Sequence, residues 1–106
     1  MPATILIVED ESIVRKDIEH TVKGLGYAVV GAVASGEEAF VIAEEQRPDV
    51  VLMDIMLKGA MSGIEAAMLI RERTGRPVIF LTAYADDATV SRARIAEPYG
   101  YIIKPF

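Results

Sequence analysis

Cysteine is absent from the 106 residues, which removes disulfides, thiolate zinc sites and cysteine nucleophiles at once. Positive charge is also scarce: 11 Lys and Arg face 16 Asp and Glu, leaving a formal net charge of −5. Binding a phosphate backbone needs clustered cations, so no direct nucleic-acid surface is expected. The small group of Arg71, Arg73 and Arg76 reads as a solvated face. No apolar run approaches the roughly 20 residues that cross a bilayer. The opening Met1-Pro2-Ala3-Thr4 has no charged leader-like start, and a cytoplasmic chain without membrane contact is expected. Repeats, low-complexity tracts and interdomain linkers are missing too, so residues 1–106 read as one domain.

What the chain does contain is a hydrophobic fraction of 52% with 25% charged residues, the balance of a globular protein. Its centre is Val50, Val51, Leu52 and Met53, an apolar run after Arg47-Pro48-Asp49 that stops abruptly at Asp54. Such a run fits a central strand buried on both faces. Other short apolar runs at 5–8, 27–34, 78–81 and 101–103 predict four further strands.

Helical periods lie between the strands. Ser12 is the expected cap of the first helix, with Val14, Ile18, Val22 and Leu25 on one stripe and Gly24 and Gly26 closing it. Ser35 with Glu38, and Ser62 with Glu65, form capping-box patterns that open the second and third helices. Ala39, Ile42 and Ala43 point the second inward; Ala66, Ala67 and Ile70 do so for the third, which stops near Gly75. Asp86 or Asp87 is expected to start a fourth helix ending at Pro98. Strands alternating with helices specify an α/β fold with a parallel, doubly wound sheet.

The chemistry is concentrated just past the strand ends. Glu9 and Asp10 follow the first strand, Asp54 the third, Thr82 the fourth and Lys104 the fifth. In a parallel sheet these ends share one edge, where open α/β sheets bind ligands. Two carboxylates about 5 Å apart repel by roughly 3 kcal/mol at an effective dielectric of 20, so the cluster calls for a cation. Oxygen-only ligands suit Mg²⁺ or Mn²⁺. Lys104 would add a second positive charge and Thr82 a hydrogen-bond donor, parts that stabilise a phosphoryl group moving to the Asp54 carboxylate. Glu11 is as well explained by the positive end of the first helix. His20 falls on that helix's polar side and reads as solvated, and Met53, Met56, Met61 and Met68 read as gap-fillers.

With these residues in place the chain resembles a response-regulator receiver domain of two-component signalling. The resemblance rests on Val8-Glu9-Asp10-Glu11, the loop over residues 54–63, Thr82-Ala83, and Tyr101 followed by Lys104-Pro105-Phe106. It implies a flavodoxin-like fold with five parallel strands in the order 2-1-3-4-5. It further implies Asp54 as phosphoacceptor, Asp10, Asp54 and the Met56 carbonyl as Mg²⁺ ligands, and Glu9 acting through water. Thr82, Ala83 and Lys104 would surround the phosphoryl oxygens, and Tyr101 would reorient when Thr82 moves. The implied partners are a sensor histidine kinase or phosphotransfer protein and an output domain or effector. Activity would be limited to the domain's own phosphorylation and dephosphorylation.

Glu9 stands where many relatives carry Asp, Lys58 where they often carry Pro, and the loop to Gly63 is one residue longer. The chain also stops at Phe106, before the family's fifth helix. That predicts bare apolar surface on strands 1, 3, 4 and 5, covered either in a homodimer or by residues of a longer chain. The alternative within the family is a degenerate receiver that binds partners without phosphorylation. An acidic Mg²⁺ nuclease or topoisomerase-type domain fits less well, because it wants Asp-x-Asp after a later strand where Asp54 is followed by Ile55 and Met56, and a phosphatase with Asp-x-Asp directly after strand 1 fails likewise.

Overall fold

The computed structural model describes residues 2–57, 59–82, 93–96 and 100–103, with the backbone alone at 95, 101 and 103. The elements are β1 (Thr4–Val8), α1 (Ser12–Gly24), β2 (Ala28–Val33), α2 (Gly36–Gln46), β3 (Val50–Asp54), α3 (Gly63–Thr74), β4 (Val78–Thr82), a 3₁₀ turn (Arg94–Ala96) and β5 (Gly100–Ile103). All five strands are parallel and lie in the order β2-β1-β3-β4-β5. That is the doubly wound arrangement expected from the sequence. The expected start of a fourth helix at Asp86 or Asp87 and its end at Pro98 lie outside the described residues, as does Lys58.

Alternation along the strands explains why they read as unbroken apolar runs. Leu6, Val8, Val51, Met53 and Phe80 bury against Ala39 and Ala43 of α2, Ala66, Ala67 and Ile70 of α3, and Ala93 and Ala96. Ile5, Ile7, Leu52 and Leu81 face the other way and cluster with Ile18 and Val22 of α1. With both faces covered, no strand position of β1 or β3 needs a polar side chain until the strand ends. On the face where bare surface was expected, among the described side chains of β1, β3, β4 and β5, Ile5, Ile7, Leu52 and Leu81 are buried and Val50, Ile79 and Ile102 are half-buried. α1 joins the cluster that encloses them.

Two local expectations are corrected. Ser12 is not a cap but the first residue of α1; Glu11 occupies the cap position without a side-chain cap bond. The reason lies upstream, where the Glu9 carboxylate already accepts the Glu11 N–H at 3.1 Å. Leu25 leaves the apolar stripe and is 71% exposed, because α1 ends at Gly24 and the chain turns away through Gly26 at φ 96°. The capping patterns hold better. Ser62 and Glu65 form the full reciprocal box, whereas the Glu38 carboxylate turns to the Ser35 hydroxyl at 3.0 Å. Gly75, in the left-handed conformation, closes α3 as expected.

Register is pinned at the sheet edge remote from the acidic strand ends. Asp49 Oδ2 accepts the Thr4 N–H at 2.8 Å, and the Asp49 N–H donates to Thr4 Oγ1 at 3.0 Å. This clasp aligns Ile5 with Val50, which three steps later sets Val8 beside Met53. The Thr4 N–H first and the Thr4 hydroxyl second hold the Asp49 carboxyl below its ordinary value of 3.8, against an opposing effect of burial and with a lesser contribution from the charge of Arg76. A lowered carboxyl pKa stabilises the fold above the unfolded-state value and stops doing so as pH falls through the folded-state value. Asp49→Asn is therefore expected to unfold at lower urea than wild type at pH 7. The gap should narrow as pH falls below the ordinary carboxylate value of 3.8 and vanish once the folded-state carboxyl is protonated. Urea titrations across that range check it, and a gap independent of pH would contradict the clasp's charge.

Candidate functional site

Register brings the acidic strand ends together. Val8 pairs with Met53 and Asp54 with Leu81, so Glu9, Asp54 and Thr82 emerge side by side at the carboxyl edge. One carboxylate oxygen from each of Glu9, Asp10 and Asp54 lies within 4.8 Å of the others. Glu9 and Asp54 are buried, at 0% and 6% exposure, and Asp10 is half-buried. At that separation and an effective dielectric of 20, each ionised pair repels by about 3 kcal/mol. Three hard oxygen donors, partly withdrawn from water, match the ligand chemistry of Mg²⁺. The residues present thus fit the cation that the sequence called for.

Asp54 is aimed as well as placed. Its Oδ1 accepts the Met56 N–H at 3.0 Å, which restrains rotation of the carboxylate. Met56 itself is 53% exposed, so it is no gap-filler, in contrast to buried Met53 and to Met61 and Met68 packed on the core. Thr82 ends β4 almost fully buried and pairs with Ile103, the residue just before Lys104. Ala83, Lys104 and the side chain of Tyr101 lie outside the described residues. His20 is exposed on α1 and is not one of the three residues of the acidic cluster.

Two participants escaped the sequence reading. Arg15 Nη1 donates to the Glu9 carbonyl at 2.7 Å, reaching back from the first turn of α1 to the end of β1. Its spacing from Glu9 was visible, but an arginine in a first turn carries no distinguishing signal. Gly63, the first residue of α3, lies against the backbone of Asp54 and Ile55. The sequence marked it as a loop glycine without showing that another backbone crosses it.

A family model described as the response regulator receiver domain matches residues 5–106. The transcriptional regulatory protein PdtaR of Mycobacterium tuberculosis is 38% identical over 106 residues, covering 100% of this chain and 51% of PdtaR. The chain thus spans about half the length of that curated relative. Among solved structures, the signal receiver domain of a modulated diguanylate cyclase from Desulfovibrio desulfuricans aligns with a TM-score of 0.90 at 40% identity, covering 99% of this chain and 83% of that one. The receiver domain of the sensor histidine kinase PA1611 from Pseudomonas aeruginosa has a magnesium ion coordinated in its active-site cleft. It aligns with a TM-score of 0.89 at 37% identity, over 100% of this chain and 88% of that one.

Proposed function

This chain belongs to the response regulator receiver domain family, and on that premise we propose that Asp54 accepts a phosphoryl group in a Mg²⁺-dependent reaction. The observation that carries the reading is the meeting of Glu9, Asp10 and Asp54 within 4.8 Å at the end of the sheet. Asp10, Asp54 and the Met56 carbonyl would hold the cation, with Glu9 acting through water. Bound there, Mg²⁺ supplies positive charge for the phosphoryl oxygens. Thr82, Lys104 and the backbone at Ala83 would contact the same oxygens.

A phosphohistidine on a sensor kinase or phosphotransfer protein is the donor. Its P–N bond breaks as a bond forms between phosphorus and a carboxylate oxygen of Asp54, and the electron pair stays on the imidazole nitrogen. The Met56 N–H keeps the acceptor oxygens oriented for in-line approach. Water later cleaves the acyl phosphate, returning Asp54 and inorganic phosphate, and no metabolite is turned over. Between these events Thr82 and Tyr101 shift the surface of the expected fourth helix and β5 between two populations that an output domain or effector distinguishes. The reading sets the domain in the cytoplasm.

An acyl phosphate donor tests the proposal directly. Intact-mass measurement should show one added phosphoryl group in the presence of Mg²⁺, little with a chelator, and none for Asp54→Asn. Labelling that persists in the variant would refute Asp54 as acceptor. No labelling of the wild type would favour a phosphorylation-independent binding module instead.

A further inference from the structure

Three hydrogen bonds among the described residues help to hold Glu9. Its N–H donates to the Val33 carbonyl at 3.0 Å, its Oε2 accepts the Glu11 N–H at 3.1 Å, and its own carbonyl accepts Arg15 Nη1 at 2.7 Å. The first two partners are backbone groups that any sequence would supply. The third is specific to Arg15, and it is the shortest.

That carbonyl lies in the same rigid peptide plane as the Asp10 N–H. Fixing the oxygen therefore fixes the plane, and with it the direction in which the chain delivers Asp10 from the strand end. Helical side chains lean toward the helix N-terminus, which lets a residue in the first turn of α1 reach back to β1. A charge-assisted bond from a planar guanidinium is stronger and more directional than one from a neutral or flexible donor. We propose that Arg15 is a positioning residue for the divalent-cation site: it orients the Glu9–Asp10 peptide so that both carboxylates meet Asp54 with affinity for Mg²⁺.

The obvious rival is plain electrostatics, and it predicts the opposite sign. A guanidinium beside an acidic pocket repels an incoming cation, so removing its charge should tighten Mg²⁺ binding. Positioning predicts weakening, because groups that orient ligands typically govern 10–100-fold in metal affinity. Two variants separate these effects. Arg15→Gln removes the charge, and Arg15→Lys keeps the charge while replacing the planar fork with a flexible point donor.

The inference rests on the acidic cluster being a Mg²⁺ site, so wild type is measured alongside. Mg²⁺ titrations of the intact chain, followed by the amide NMR signals of Asp10 and Met56 well below the melting temperature, give the dissociation constants without any phosphorylation step. Melting curves without metal report purely structural damage separately. The expected result is a dissociation constant raised roughly 10-fold in both variants. Tighter binding in Arg15→Gln with wild-type binding in Arg15→Lys would overturn positioning in favour of charge. Unchanged constants in both variants, with wild type binding normally, would defeat the role of Arg15 alone. A wild type that shows no saturable response would defeat the cation site itself, and this inference with it.

Discussion

Gly63→Ala should lower stability by about 3 kcal/mol or more, the upper range for forcing a methyl into filled space. A methyl at position 63 would collide with the Asp54 carbonyl oxygen and lie 2.9 Å from both the Cα and the carbonyl oxygen of Ile55. These neighbours are backbone, so no side chain can swing aside. Either α3 retreats from the sheet or the end of β3 is displaced, and the second would move Asp54. In a domain of this size such a loss takes a large share of the total stability, usually 5–15 kcal/mol. Gly59 provides the comparison, since its φ of 106° penalises a side chain but, among the described residues, no atom beyond its chain neighbours lies within 4 Å of an added carbon. Its alanine variant should lose only about 1–2 kcal/mol. Urea unfolding of the two variants decides the matter. A Gly63→Ala protein as stable as Gly59→Ala would mean that the α3–β3 contact is looser than described.

The second large effect runs the other way. Without metal, Asp54→Asn should raise stability by about 2–3 kcal/mol: it relieves the repulsion from buried Glu9, roughly 3 kcal/mol, and a lesser one from half-buried Asp10 that water screens, and gives part of that back. What it gives back is the strength of the Met56 N–H bond, which an amide oxygen accepts less well than a carboxylate. For a chain of this length the gain corresponds to a rise of roughly 10 °C in melting temperature. Mg²⁺ should close the gap by stabilising wild type, about 2.7 kcal/mol at one hundred times its dissociation constant, while acting little on the variant. Melts of both proteins with and without Mg²⁺ test the two halves together. Curves that coincide in all four conditions would show that Glu9, Asp10 and Asp54 do not confront one another as charges.

The sequence by itself determined the strands, the acids and their edge. Val50 to Met53 is apolar at every position because both faces of β3 are covered, and that requirement is written residue by residue. The stop at Asp54 was equally legible, since a carboxylate cannot continue a run buried on both sides. Ser62 and Glu65 announced the start of α3 for a similar reason: a capping box closes within four residues of chain. Ser12 misled because the group that meets the Glu11 N–H lies before the helix, on Glu9 at the end of β1. Leu25 misled because periodicity does not record where a helix stops.

Only the tertiary structure decided how close the three carboxylates come, since 4.8 Å depends on register fixed by Thr4 and Asp49 at the far end of the sheet. Only it revealed Arg15 on the Glu9 carbonyl and Gly63 against the Asp54 backbone. Propensity, capping and alternation act over a few residues and leave their mark on neighbouring letters. A guanidinium reaching a strand end, or one backbone crossing another, depends on the relative placement of whole elements, which packing sets and no short stretch of sequence encodes.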